Sequence, residues 1–233
     1  AAKAQSLGRD AVAVEHFLYV ATDGTSKVAS TLDITVTGTN DAPIVTVDTG
    51  AVTEDGTLAA SGNVLANDSD VDAGTTLQVA APGTYAGNHG TLTLAQDGSY
   101  TYSLNNAAAN VQSLAQGQSV VDSFTYAATD GASEVASSLA ITITGTNDAP
   151  VVTSDAAAVT AGMAASVSGN VLANDSDVDA GTVLTVTTAG TMKGSYGELT
   201  IGADGSYVYT VDAAKTQALG RDAQLVEHFL YVT

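Results

Sequence analysis

The stretch SGNVLANDSDVDAGT occupies residues 61–75 and recurs without a change at 168–182. The shift is 107 residues, and GTNDAP repeats with the same shift, at 38–43 and 145–150. EHFLYV stands at 15–20 and again at 227–232, with DSFTYA at 122–127 as its middle counterpart. The chain therefore holds three registers of one unit. Residues 1–37 read as the C-terminal strands of a preceding repeat, and 38–43 as a linker. Residues 44–144 read as a complete repeat, 145–150 as a second linker, and 151–233 as a repeat lacking its last strand. A period this long is a whole domain with its own core rather than a short solenoid unit. The chain opens in mid-pattern, so its ends read as cut points in something longer.

Inside the complete copy the pattern is that of strands. The expected strands are 44–48, a weak one at 57–63, then 77–80, 90–96, 98–104, 121–129 and 135–145. Tyr100, Tyr102 and Leu104 alternate, as do Phe124 and Tyr126, which puts each set on one face of its strand. Asp97-Gly98 between two such runs signals a hairpin of type I′. The Ala-rich stretch 105–117 is where a short helix is expected. About seven strands in roughly 100 residues, with turns every 8–12, argue an immunoglobulin-like sandwich. The fold class read from the sequence is all-β: tandem sandwich repeats of about 107 residues, arranged end to end.

Composition narrows the function. Of 233 residues, 25 are acidic and 6 basic, for a formal charge of −19. Nucleic acid is a poor partner, because binding phosphates needs a Lys/Arg surface. An anionic membrane face is excluded by the same sign argument. No apolar run approaches the roughly 18 residues a membrane helix needs. Cysteine is absent, so neither disulfides nor thiolates staple the fold, and a metal becomes the more plausible staple.

The acids are clustered. Residues 44–150 contain eleven Asp or Glu and no Lys or Arg, so salt bridges within the repeat do not explain them. Asp68, Asp70 and Asp72 alternate within the repeated loop, and Asp175, Asp177 and Asp179 repeat them. Carboxylates this close repel one another unless a cation sits between them, and hard oxygen ligands in a flexible loop suit Ca²⁺. The spacing is not that of an EF-hand: the turn glycine comes one residue late, Val79 stands where the bidentate Glu belongs, and no helices flank the loop. If strands alternate in direction, loop 64–75, turn 97–98 and loop 129–133 lie together beside the linker. Asp41, Asp68, Asp70, Asp72 and Asp130 then converge at one junction, and Asp148, Asp175, Asp177 and Asp179 at the next. Glu54 and Asp55 sit in the loop at the opposite end, facing the second junction. Asp23, in the partial copy, completes the candidate ligands. Asp97 and Asp204 read as turn formers.

GTNDAP, AVTEDGTL, GNVLANDSDVDAG, YGELTIGADGSY and DSFTYAATDG together resemble the VCBS-type, cadherin-like repeats of large RTX-type bacterial adhesins and biofilm proteins. The resemblance covers essentially the whole chain. It implies a Ca²⁺-binding sandwich repeated many times between a cell-anchored end and a ligand-binding end, outside the bacterial cell. It further implies that NDAP plays the part of the cadherin linker, Glu54 that of the first-loop acid, and Asp70 with Asp72 that of the DxD pair. One departure stands out: TEDG at 53–56 becomes TAGM at 160–163, so Glu54 and Asp55 correspond to Ala161 and Gly162.

Enzymatic chemistry finds no support in the residues. The three His are scattered, which argues against zinc, and candidate Ser–His–Asp members merely repeat. The loop acids have no aromatic platform to hold a sugar, as a glycosidase site would. The expected function is a calcium-stiffened structural extender of a surface adhesin, with adjacent repeats of the same chain as its partners. The alternatives are a glycan- or protein-binding module acting through loop tips, and a head-to-tail, β-strand-complemented filament subunit.

Overall fold

A computed structural model describes residues 2–161, 165–220 and 223–233. The protein is all-β, and its short helices span four residues each. Two compact units are present: residues 1–111 with 117–145, and residues 112–116 with 146–233. Among the described residues, no helix is long and apolar enough to cross a membrane.

The first unit opens with a short helix, α1 (Ala2–Gln5), and a hairpin of β1 (Val12–Thr22) and β2 (Lys27–Thr37). The complete repeat then supplies β3 (Asp48–Thr53), β4 (Ala59–Asn63), β5 (Gln78–Val79), β6 (Gly83–Ala86), β7 (Gly90–Leu94) and β8 (Ser99–Leu104). A short helix, α2 (Ala109–Gln112), precedes the long strands β9 (Ser119–Thr129) and β10 (Glu134–Thr144). One sheet has the order β3-β10-β9-β5 and the other β4-β8-β7-β6. Only β3 joins its neighbour in parallel, against β10, among these pairs.

The two sheets form a sandwich because their strands bury every second residue. Leu92, Leu94, Tyr100, Tyr102 and Leu104 face inward from one sheet. Phe124, Tyr126, Ala128, Leu139, Ile141 and Ile143 face them from the other. The rings of Tyr102 and Phe124 meet across this core at 6.0 Å between centroids. A fully buried side chain of this size contributes about 1.5–3 kcal/mol, so the alternating strands carry the stability of the repeat.

The hairpin β1–β2 has the register of β9–β10, pair for pair: Phe17 stands opposite Leu32 as Phe124 stands opposite Leu139. Phe17, Tyr19, Leu32 and Ile34 are exposed.

The second unit contains β11 (Ser166–Asn170), β12 (Gly190–Lys193), β13 (Gly197–Ile201) and β14 (Ser206–Val211) in one sheet of order β11-β14-β13-β12. A four-residue helix, α3 (Ala213–Thr216), follows, capped by the Asp212 carboxylate on the amides of Ala214 and Lys215. Val171, Val186 and Ile201 form a core cluster, with Leu172, Met192, Tyr207 and Tyr231 packed on it. Residues 223–233 form no ladder. They are fixed through Val232, whose carbonyl accepts from the Thr187 amide at 2.8 Å.

Three expectations are corrected. The first strand lies at 48–53 instead of 44–48. Ile44 exchanges two backbone bonds with Ser69, and the Thr46 amide donates to Asp68 at 2.8 Å, so this segment is held by the acidic loop before it reaches the sheet. A strand at 83–86 was not foreseen: Pro82-Gly83 reads as a break, yet the segment serves as an edge strand, where such residues are tolerated. The Asp97-Gly98 turn closes its hairpin, but only Gly98 has positive φ (+83°), so the turn is not type I′. The Asp97 carboxylate instead accepts from the Ser99 amide and hydroxyl. Asp204 repeats this with Ser206.

Candidate cation site

Each repeated loop folds around its own acids. In the first unit the Asp72 amide donates to Oδ1 of Asp70 at 2.8 Å, and the Asp41 amide donates to Oδ2 of Asp72 at 3.0 Å. Asp41 is thereby drawn from the linker onto the loop. Its neighbour Asn40 donates from Nδ2 to Oδ2 of Asp130 at 2.8 Å, which brings the β9–β10 turn to the same place. Asn63 donates to the Asp97 carbonyl, fixing the β7–β8 turn beside the loop. Asp41, Asp68, Asp70, Asp72 and Asp130 thus share one end of the first sandwich.

A second contact reaches the loop from the segment after α1. The Ala73 amide donates to the Ser6 carbonyl at 3.1 Å. Gly8 lies so close that a Cβ placed there would stand 3.4 Å from Cβ of Asp72.

The second unit reproduces the loop bonds with their partners moved by 107 positions, but among the described residues the Asn40–Asp130 bond has no counterpart. The Asp179 amide donates to Asp177, and the Asp148 amide to Oδ2 of Asp179 at 3.0 Å. The Thr153 amide donates to Asp175 at 2.7 Å, and the Ala180 amide to the Ser113 carbonyl at 3.0 Å.

The carboxylate oxygens these bonds leave over define the chemistry. Asp72 and Asp179 are only 6% and 5% exposed. Their Oδ1 atoms are buried and have no hydrogen-bond partner, as is also true of Oδ2 of Asp68, Asp70 and Asp175. A buried carboxylate oxygen without a partner is costly unless a positive charge meets it. Burial pushes the Asp68 carboxyl above its ordinary value; the Thr46 amide opposes this, and the charge of Asp48 adds to it. The donors are hard oxygens, which suit Ca²⁺. Among the described residues, no three Asp, Glu, His or Cys side chains are gathered as a ready-made metal cage. Any ion held here would need backbone carbonyls and water as well, as Ca²⁺ commonly does.

Of the other candidates, Asp130 is at the same end but already engaged, and the rest lie elsewhere. Both oxygens of Asp130 are engaged, Oδ1 by the Ala132 and Ser133 amides and Oδ2 by Asn40. Burial raises its carboxyl, but these bonds outweigh it and the net shift is downward. Asp23 closes the β1–β2 turn, accepting from Thr25 and Ser26. Glu54 is fully buried after β3, with its amide on the Thr144 carbonyl. Asp55 has φ +51° and exchanges bonds with the Asn106 side chain. Six residues of β3 separate Glu54 and Asp55 from the Asp68 side of the sheet, roughly 20 Å. Ala161 has no carboxylate to offer, and Gly162 lies outside the described residues.

Sequence reasoning passed over an acid at one register of the repeat. Asp122 is 2% exposed in the middle of β9. It accepts from Tyr102, from Nδ1 of His89 and from the amides of Asn88 and His89. Glu227 does the same work in the second unit, accepting from Tyr209 and the Tyr196 amide. The signal was present: Glu15, Asp122 and Glu227 keep an acid at one register while its neighbour changes among His16, Ser123 and His228.

Two tandem all-β repeats, the first a complete sandwich, with acidic loops beside their linkers define a cadherin-like class of domain. Residues 40–145 and 147–233 each match the bacterial cadherin-like domain, and the chain belongs to that family. Such domains are typically extracellular and generally non-enzymatic. No curated protein sequence matches the chain. Among solved structures it is similar to cadherin domains 1–5 of protocadherin gamma B2, at 18% identity and a TM-score of 0.47, over 86% of this chain and 38% of that one. Domains 1–3 of mouse clustered protocadherin PcdhgC3 give 16% and 0.47 over 92% and 71%. An endo-fucoidan hydrolase of glycoside hydrolase family 107 gives 16% and 0.31 over 85% and 29%. The chain thus spans about three tenths of the hydrolase and about two fifths of protocadherin gamma B2. The family assignment rests on the sequence match and not on these likenesses.

Proposed function

We propose that this chain is a calcium-stiffened extender segment of a bacterial cell-surface adhesin of the VCBS/RTX type, one that projects a distal binding domain away from the cell. The observation that carries the reading is the set of buried, partnerless carboxylate oxygens on Asp68, Asp70, Asp72, Asp175 and Asp179. Asp68 with Asp175, and Asp72 with Asp179, stand at equivalent positions beside the two linkers, as a shared structural task requires. Ca²⁺ would supply the missing positive charge. The loop acids would hold it, with Asp41 and Asp148 orienting the linkers through their amides on Asp72 and Asp179. Fixing a short linker removes its conformational freedom, and metal affinity becomes folding free energy.

Strands of 7–10 residues span about 25–35 Å, so each sandwich with its loops advances the chain by roughly 40 Å. Small-angle scattering on the chain tests the reading. A longer maximum dimension with calcium than with chelator is the expected result. The same compact profile in both conditions contradicts a calcium-stiffened extender.

A further inference from the structure

The two acidic loops are built alike, but the segments that lie on them differ: Gly8, Arg9 and Asp10 stand where the second has Ala115, Gln116 and Gly117. In the second unit, Ser113 takes the Ala180 amide, and three residues later Oε1 of Gln116 accepts from the amide of the linker residue Asn147 at 3.3 Å. Two features therefore hold this linker beside Asp179: the amide of Asp148 on the carboxylate, and the amide of Asn147 on Gln116. In the first unit Ser6 takes the Ala73 amide in the same way, but the residue at the position of Gln116 is Arg9.

Arginine has five donors and no acceptor, so it cannot receive a linker amide. It also carries the sign of charge that the loop must attract. Gly8, its neighbour, packs directly on Asp72. The guanidinium lies 3.7 Å from Asp10, but both side chains are largely exposed, at 70% and 88%, and water screens that pair.

We propose that Gln116 is a positioning residue for the second cation site, and that Arg9 in its place makes the first site the weaker of two unequal calcium sites. The inference rests on the calcium reading. Asp10 beside Arg9 offsets its charge, so the loss of the linker acceptor carries the difference; losing a hydrogen bond of ordinary net strength weakens a site about threefold.

Calcium titration of the ¹⁵N-labelled chain reads the sites separately, because the Ala73 and Ala180 amides each report one loop. The Ala180 signal is expected to move at about threefold lower calcium than that of Ala73. Gln116→Arg raises the Ala180 midpoint by at least that factor, whereas Gln116→Glu, which keeps the acceptor, does not. Arg9→Gln lowers the Ala73 midpoint toward that of Ala180. Equal midpoints in the wild type, unmoved by either exchange, overturn the inference while leaving the calcium reading intact. Signals that ignore millimolar calcium altogether overturn both.

Discussion

The phenol of Tyr102 donates to Oδ2 of Asp122 at 2.8 Å, and this bond ties the two sheets of the complete repeat together through their core. The same carboxylate collects His89 and two backbone amides from the β6–β7 turn. Asp122→Ala would leave buried donors without an acceptor. The expected loss is about 2–4 kcal/mol, measured by urea unfolding. Glu227→Ala should weaken the second unit in the same manner, but less, because its site is less deeply buried.

The same pair sets a pH dependence. Burial raises the Asp122 carboxyl, but bonds from His89 and Tyr102 outweigh it and leave the group below its ordinary value of 3.8. A depressed carboxylate contributes stability that is present above the unfolded value and lost as pH falls through the folded one. The stability gap between the wild type and Asp122→Asn should therefore narrow on acidification below about pH 4. Urea midpoints at several acid pH values check this.

Alkali should act on other groups. The bond to Asp155 and burial push the Tyr231 phenol up to about 12; burial and Glu227 do the same for Tyr209. A raised phenol contributes stability below its unfolded value near 10 that is lost as pH rises through the folded value. Absorbance titration should show these two tyrosines ionising late. Tyr231→Phe should remove one late step and flatten the alkaline loss of stability.

Gly90 opens β7 where Tyr102 crosses it. A Cβ there would meet the Ser103 carbonyl oxygen at 2.4 Å and the Tyr102 ring at 2.5 Å. Gly197 stands in the same relation to Thr210 and Tyr209. Gly90→Ala should cost about 1–3 kcal/mol through overpacking against backbone. A melting-temperature change of less than a degree would argue against so tight a crossing.

Much of the fold was legible because the informative patterns are local. The alternation of Tyr100, Tyr102 and Leu104 sets a strand face by itself, and the density of DSDVDAG marks the loop without reference to anything distant. What escaped depends on partners remote in sequence. Asp122 looks like any lone acid in a strand until His89, 33 positions earlier, is seen beside it. The segment carrying Ser113 and Gln116 shows its role only through Ala180 and Asn147. The start of β3 was misplaced because Ile44 and Val45 look strand-like, while the ladder to β10 forms along Asp48–Thr53, which alternates poorly.

On the proposed reading, the partnerless oxygens of the two loops hold calcium. Thermal unfolding of the chain across a calcium series, against a chelator control, tests it most directly. The stabilisation should grow with concentration, reaching about 2.7 kcal/mol at 100 times the dissociation constant. Most of it should vanish when Asp72→Asn and Asp179→Asn are combined. A melting temperature indifferent to calcium and chelator alike would contradict the account.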